Sequence, residues 1–318
     1  MWRRNDRNHS VATRHLPLAT MKILLTGKHG QVGFELQRTL APLGEIYAVG
    51  YAECDLADAS ALSALVRSVK PDLIVNPAAY TAVDKAESEP ELAHAINAVA
   101  PGVLGEEAAK GNAWVVHYST DYVFDGTKLG TYAEEDLTNP LSIYGRTKRD
   151  GEIALQASGA RHVIFRTSWV VGAHGSNFAK TILRLAVERE SLNVVADQHG
   201  APTSAALLAD VTALLIRQRQ REGDEHFPFG VYHLVASGET NWCDYARFVV
   251  SEALALGKSL KLSPDSIRAI PSSDYPTAAT RPSNSRMDTG KLRRTFGFEL
   301  PDWQSGIRHI LQQVVVKP

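Results

Sequence analysis

At 318 residues the chain can bury a large core, in two domains or in one with an appended lobe. With 44% apolar and 22% charged residues it has the composition of an ordinary globular protein, and a net charge of −1 leaves no basic field to hold a polyanion, which argues against nucleic acid as a partner. The two cysteines, Cys54 and Cys243, lie outside any CxxC pair, which argues against a disulfide framework or a Cys-rich zinc site and points to a cytoplasmic protein. No apolar run reaches the about 20 residues a membrane span takes, so no membrane partner is expected.

Residues 1–20 hold four arginines and one acid without periodicity, and they lack the apolar segment of a secretory signal. They read as a disordered extension, with Met21 beginning the folded part. From there short apolar runs alternate with helical spacing. Lys22–Thr26 is a buried strand and Gln31–Leu40 a helix stopped by Pro42 and Gly44. Glu45–Val49 is a second strand, and Ala59–Val69 a helix capped by Asp58. Leu73–Asn76 is a third strand, followed by a helical stretch over Glu91–Lys110 with a break expected at Pro101. Trp114–Ser119 and His162–Thr167 are further strands, with a helix around Lys148–Gln156 between them.

Strands apolar on both faces, alternating with helices, indicate an α/β fold: a Rossmann-type doubly wound parallel sheet with a smaller C-terminal α/β substrate lobe. The expected division is 21–172 for the nucleotide-binding domain, joined by parts of 196–236, and 173–318 mainly for the lobe. In the lobe, Asn177–Arg189, Ala205–Arg219 and Trp242–Leu256 read as helices, and Leu192–Val195 and Val231–Val235 as short strands.

The segment Gly27-Lys28-His29-Gly30-Gln31-Val32-Gly33 follows the first strand and opens the first helix. A tight turn, a close approach of backbone to a pyrophosphate and a close helix–strand contact each favour glycine, and the helix N-terminus offers free N–H groups to the anion. With 23 glycines, roughly 0.1 such patterns arise by chance, so its position between strand and helix marks a dinucleotide site. An acid at the end of the second strand would grip the adenosine ribose hydroxyls, but that strand ends at Val49-Gly50-Tyr51, with no acid before Glu53. Lys28 or His29 could attract a 2′-phosphate. The balance leans to NADPH, with NADH as the alternative.

Tyr144 and Lys148 stand four apart, on one face of a helix. A phenol near pKa 10 is a slow acid at neutral pH, and a neighbouring ammonium brings it nearer the working range. About 0.4 such pairs arise by chance from 10 tyrosines, so the pair alone is weak. The strand that ends in Ser119 and Thr120 adds weight, because it brings hydroxyls to the carboxyl edge of the sheet, where ligands bind.

Together GKHGQVGFELQ, VNPAAYTAVDKAESEP, VVHYSTDYVFDG, YGRTK, FRTSWVVG, NFAKT, DQHGAPT and TRPSNSRMDT resemble the extended short-chain dehydrogenase/reductases, and within them the dTDP-4-dehydrorhamnose reductases. The resemblance runs from Met21 to about Val314. It implies reduction of the C4 ketone of a nucleotide sugar, dTDP-4-dehydro-L-rhamnose, by NADPH or NADH. It further implies that Tyr144 gives the proton to O4, that Lys148 holds the ribose and lowers the Tyr144 pKa, and that Thr120 hydrogen-bonds the substrate oxygen. Asp121 and Trp169 match sugar contacts. Gln31, Val32, Asp55, Leu56, Ala79, Tyr80 and Thr81 match cofactor contacts, beside Gly27, Gly30 and Gly33. Some members dimerise through Mg2+, which makes a homodimer an expectation and leaves the metal without a place in this sequence. Gly50 stands where members often carry an acid.

Other readings stay beside these. Asp55-Leu56 is equally a turn before a helix. His117 reads as structural, and His174 and His199 show no metal spacing. Glu134-Glu135-Asp136 reads as a solvated acidic turn, and Arg281 either clamps a diphosphate or belongs to a polar loop. An epimerase or dehydratase on this scaffold, or a non-catalytic binding subunit, are the competing functions. The acidic pair of a dehydratase is missing, and the intact Tyr144, Lys148 and Thr120 speak against lost activity.

Overall fold

The computed structural model describes residues 20–315; the expectation for residues 1–20 lies outside them except for Thr20. Six parallel strands form one sheet: β1 (Lys22–Leu25), β2 (Glu45–Ala48), β3 (Leu73–Asn76), β4 (Trp114–Thr120), β5 (Arg161–Thr167) and β6 (Gly230–His233), in the spatial order β6-β5-β4-β3-β1-β2. The chain leaves β1 for β2 on one side and returns to β3 on the other. The strand order therefore reverses between β1 and β3, and a crevice opens there at the carboxyl ends.

Helices cover both faces. On one face α1 (Gln31–Leu40) packs through Leu36 and Leu40 beside Leu208 and Leu215. On the other, α2 (Ala59–Val69), α3 (Ala100–Lys110) and α4 (Ile143–Ala157) bury Leu62, Leu104 and Leu155 against Leu24, Ile74 and Ile164. β4 is buried at every residue, as a central strand covered on both faces must be. Asp58 caps α2 by accepting from the Ser60 and Ala61 amides, as its type and position foretold.

A separate core holds the C-terminal lobe, where α5 (Phe178–Glu188) and α7 (Trp242–Ala255) bury Ile182, Tyr245 and Val249. Between them in sequence, α6 (Ala205–Glu222) lies against α1 on the main sheet. The strand expected at Val231–Val235 is β6 of the main sheet rather than a strand of the lobe, within the stretch 196–236 from which parts were expected to join the first domain; it is in register with β5 from Gly230 opposite Val163 to His233 opposite Arg166. The lobe does pair Leu192–Val195, with Ile267–Ile270. The break expected at Pro101 does not occur. The helical path runs on through Pro101, and the irregularity lies one turn earlier, in a π-helical segment at Ala95–Val99 whose wider turn accommodates a residue with no N–H to donate. The helix expected around Lys148–Gln156 begins five residues earlier, where Ser142 caps it through the Gly145 amide at 3.1 Å.

Candidate active site

A cavity of about 780 Å³ occupies the crevice at the carboxyl edge of the sheet. One end is the glycine loop. Gly27 has φ of +62°, and a Cβ there would lie 2.9 Å from the Ala78 Cβ. A Cβ on Gly33 would lie 2.1 Å from the Gly27 carbonyl oxygen, so only glycine lets α1 approach its own entry turn. No side chain caps the N-terminus of α1, leaving its first N–H groups to the cavity. A backbone cradle without side chains at a free helix N-terminus fits the pyrophosphate of a dinucleotide. Gly30, Gln31, Val32, Asp55, Leu56, Ala79 and Thr81, which the resemblance matched to cofactor contacts, line this cavity. Tyr80 does not: its hydroxyl donates to Glu89 at 2.7 Å, and its backbone N–H and C=O are bound by the Asn97 amide. Asp55 also accepts from the Ala57 amide at 2.9 Å, so the turn reading holds beside the lining one.

The other end is built by the end of β4 and the start of α4. A Cβ on Gly145 would lie 2.2 Å from the Tyr122 carbonyl oxygen, so glycine next to Tyr144 lets the helix press onto the turn after β4. Thr120 donates to Asp121 Oδ1 at 2.9 Å, and the Tyr144 ring lies edge-on to Tyr122 at 5.4 Å. Tyr144, Lys148, Thr120 and Asp121 all line the cavity. So do Ser119 and Thr167, whose buried hydroxyls have no partner among the described residues; Asp121 Oδ2 is likewise unpaired. Unsatisfied polar atoms concentrated on one wall mark a surface built to meet a polar ligand.

The electrostatics differ from the expectation for Tyr144. Burial pushes its phenol up to about 12; the Thr120 hydroxyl opposes the shift and the Asp121 carboxylate adds to it. Lys148 does not lower it, because its ammonium is turned onto the Tyr118 carbonyl oxygen at 2.7 Å and lies 3.3 Å from His117 Nε2. Burial brings Lys148 down to about 8, against the pull of Glu152. The charge of Glu152 is largely answered by Arg166, which grips both its oxygens. His117 is fully buried and held neutral, first by burial and then by the Lys148 charge, with Nδ1 3.1 Å from the Asn76 amide. It is buried inside β4, as its place in the strand implied, and its neighbour is the catalytic lysine candidate. Burial also lifts Asp121 to about 6.

Trp169 lies between strands with φ of +49°, a left-handed conformation that is costly for a bulky residue. Its ring stacks on Trp242 at 3.7 Å, and a Cβ on Gly200 would come within 2.9 Å of it. Phe178 and Tyr245 extend this aromatic wall, and the Tyr245 hydroxyl is buried without a partner among the described residues. Sequence reasoning missed Tyr122, Trp242 and Tyr245; nothing in the spacing of Trp242 and Tyr245 marked them, whereas Tyr122 sat inside a quoted motif.

Arg281 does not line the cavity and pairs with Asp84 at 2.7 Å. Lys28 is not free to await a phosphate, because it pairs with Glu53. Glu134 departs from the solvated acidic turn: it turns inward to accept from the His233 amide at 2.8 Å. Among the described residues no group of three His, Cys, Asp or Glu could hold a metal ion, and no helix is long and apolar enough to cross a membrane.

The family model described as the RmlD substrate binding domain matches residues 21–316. The chain is 51% identical to the dTDP-4-dehydrorhamnose reductase of Escherichia coli K12, over 92% of this chain and 98% of that one. Its fold is similar to the dTDP-4-dehydrorhamnose reductase of Bacillus anthracis solved in complex with NADP, with a TM-score of 0.82 and 32% identity over 92% of this chain and 98% of that one. It is also similar to the corresponding Clostridium acetobutylicum structure, with a TM-score of 0.85 and 32% identity over 93% and 100%.

Proposed function

The chain belongs to the RmlD substrate-binding-domain family, and from that premise we infer that it reduces the C4 ketone of dTDP-4-dehydro-L-rhamnose to dTDP-L-rhamnose with NADPH or NADH. The observation that carries this reading is a single cavity with a side-chain-free phosphate cradle at one end and Tyr144, Thr120 and Lys148 at the other.

The bound cofactor supplies the hydride, and Gly27, Gly30, Gln31, Val32, Gly33, Asp55, Leu56, Ala79 and Thr81 are the residues proposed to hold it. Tyr144 keeps its proton at neutral pH because burial holds its pKa far above that range, so it meets the substrate as a hydrogen-bond donor at O4. As charge develops on O4 the phenol proton moves to it. Thr120 carries one hydroxyl proton. While that proton is given to Asp121, its oxygen can accept from the phenol; turned around, the same hydroxyl donates to the phenolate or to the substrate oxygen. Lys148 retains a third N–H for the nicotinamide ribose, and its charge stabilises the phenolate once a ligand draws it towards the cavity. Asp121 and Trp169 are proposed as sugar contacts. Arg281 would need to leave Asp84 to reach a diphosphate.

The homodimer, with Mg2+, belongs to the same proposal and is tested by light scattering with and without the metal. A cytoplasmic location is proposed with it; both cysteines are free and buried, which suits a reducing compartment. The function is tested by supplying dTDP-4-dehydro-6-deoxyglucose with a 3,5-epimerase and following 340 nm absorbance with each cofactor. Loss of absorbance is expected, and Tyr144→Phe should lower kcat by about 10²–10⁴-fold with cofactor binding intact. Full activity in that variant would remove Tyr144 as the proton donor, and product formed without net oxidation of the cofactor would favour an epimerase.

A further inference from the structure

The end of β2 carries a charge arrangement that the reduction itself does not use. Gly50 is the second residue beyond β2, and it lines the cavity at the end assigned to the adenosine half of the cofactor; Lys28 and Glu53 do not themselves line it but are joined to it at the Gly50 amide. The glycine loop is tied to this point, because the Lys28 amide donates to the Val49 carbonyl oxygen at 3.2 Å. A side chain on Gly50 would have to push the exposed His29 ring aside, because its Cβ would lie 2.8 Å from that ring. That Cβ would also lie 3.4 Å from Glu53 Oε2. A carboxylate is therefore already held about where an acidic side chain on residue 50 would bring one. Glu53 Oε2 accepts from the Gly50 amide at 2.8 Å, and Oε1 accepts from Lys28 Nζ at 2.7 Å. The Lys28 ammonium, helped by the Gly50 amide, holds the Glu53 carboxyl below its usual range, so the carboxylate stays ionised at neutral pH.

We propose that the Glu53–Lys28 pair, folded back onto the Gly50 amide, sets the choice between the two nicotinamide cofactors, Glu53 favouring the ribose 2′-hydroxyl and Lys28 the 2′-phosphate. This rests on the cofactor groove assigned above. The two charges cancel, so an incoming 2′-phosphate, with a charge between about −1.5 and −2, meets no net attraction there. It gains Lys28 only by displacing Glu53, whereas a 2′-hydroxyl can donate to a carboxylate that is already in place. The pair thus narrows the gap between the cofactors rather than excluding either, in a sequence that lacks an acid on residue 50.

The test is the Kd of NADH and of NADPH, measured on the whole chain by quenching of protein fluorescence, without sugar substrate. Glu53→Gln keeps an acceptor for the Gly50 amide and frees the Lys28 charge. It should tighten NADPH about tenfold relative to NADH. Lys28→Met should weaken NADPH about tenfold and move NADH by less than about twofold. Both side chains are partly exposed, so neither change removes core packing. If both cofactors bind the native chain but the NADPH/NADH ratio is unchanged in both variants, the proposal fails and the groove assignment stands. If neither cofactor binds the native chain, the groove assignment fails and takes the proposal with it.

Discussion

Lys148 offers the sharpest test of the site, because its two expected roles and its observed surroundings pull in different directions. Its side chain is fully buried and its pKa is drawn down to about 8, while Tyr144 is pushed up to about 12. With those values, Lys148 is about nine-tenths charged at pH 7 and about one-tenth charged at pH 9, while about one Tyr144 in a thousand is ionised at pH 9. Any alkaline loss of activity near pH 8 therefore reports the lysine and not the phenol. The sign follows from the charged form being the useful one: activity is nearly complete below about pH 7, about half lost at pH 8, and falls about tenfold per unit well above it. The quantity to measure is kcat/KM for the reduced cofactor, which reports ionisations of the free protein. Lys148→Met preserves much of the buried volume, should lower kcat/KM by about 10²-fold, and should flatten the alkaline limb. A limb that persists near pH 8 in the methionine variant, or one that appears only near pH 10 in the native chain, would refute the assignment.

Three further outcomes are expected. Thr120→Val removes a hydroxyl that Asp121 and the Tyr144 phenol share, and it should lower kcat by about 10²-fold with KM for cofactor unchanged in stopped-flow and steady-state assays. Gly33→Ala forces a carbon to within 2.1 Å of a backbone oxygen and should abolish measurable cofactor binding, whereas Gly130→Ala, with nothing within 4 Å, should leave the Kd unchanged. Arg166→Met leaves the Glu152 carboxylate buried without its partner and should cost about 3–5 kcal/mol, read as a fall of about 10 °C in Tm; the additional change Glu152→Gln should recover part of it.

The sheet and the glycine-loop end of the cavity were legible because their signals are local. A buried parallel strand is a short apolar run, the glycine loop is one heptapeptide, and the Asp58 cap is a residue type in one position. The same holds for Tyr144 and Lys148, whose common face follows from helical spacing alone. What failed needed partners distant in the chain. Residues 231–235 read either as a lobe strand or as a part of the first domain, because their pairing with β5 spans more than sixty residues of intervening chain. Tyr80 matched a cofactor contact by motif, yet its direction is set by Asn97 and Glu89. Arg281 and Lys28 looked like free cations until Asp84 and Glu53 were found beside them.

By itself the amino-acid order determined which backbone segments become strands and helices, where glycine must stand, and which titratable groups share a helix face. Only the tertiary structure decided the electrical state of those groups. Tyr144 and Lys148 shift in opposite directions because one becomes charged on losing a proton and the other on gaining one, and burial penalises both charged forms. The depth of burial is a property of the whole packed molecule, and no local pattern of residues encodes it.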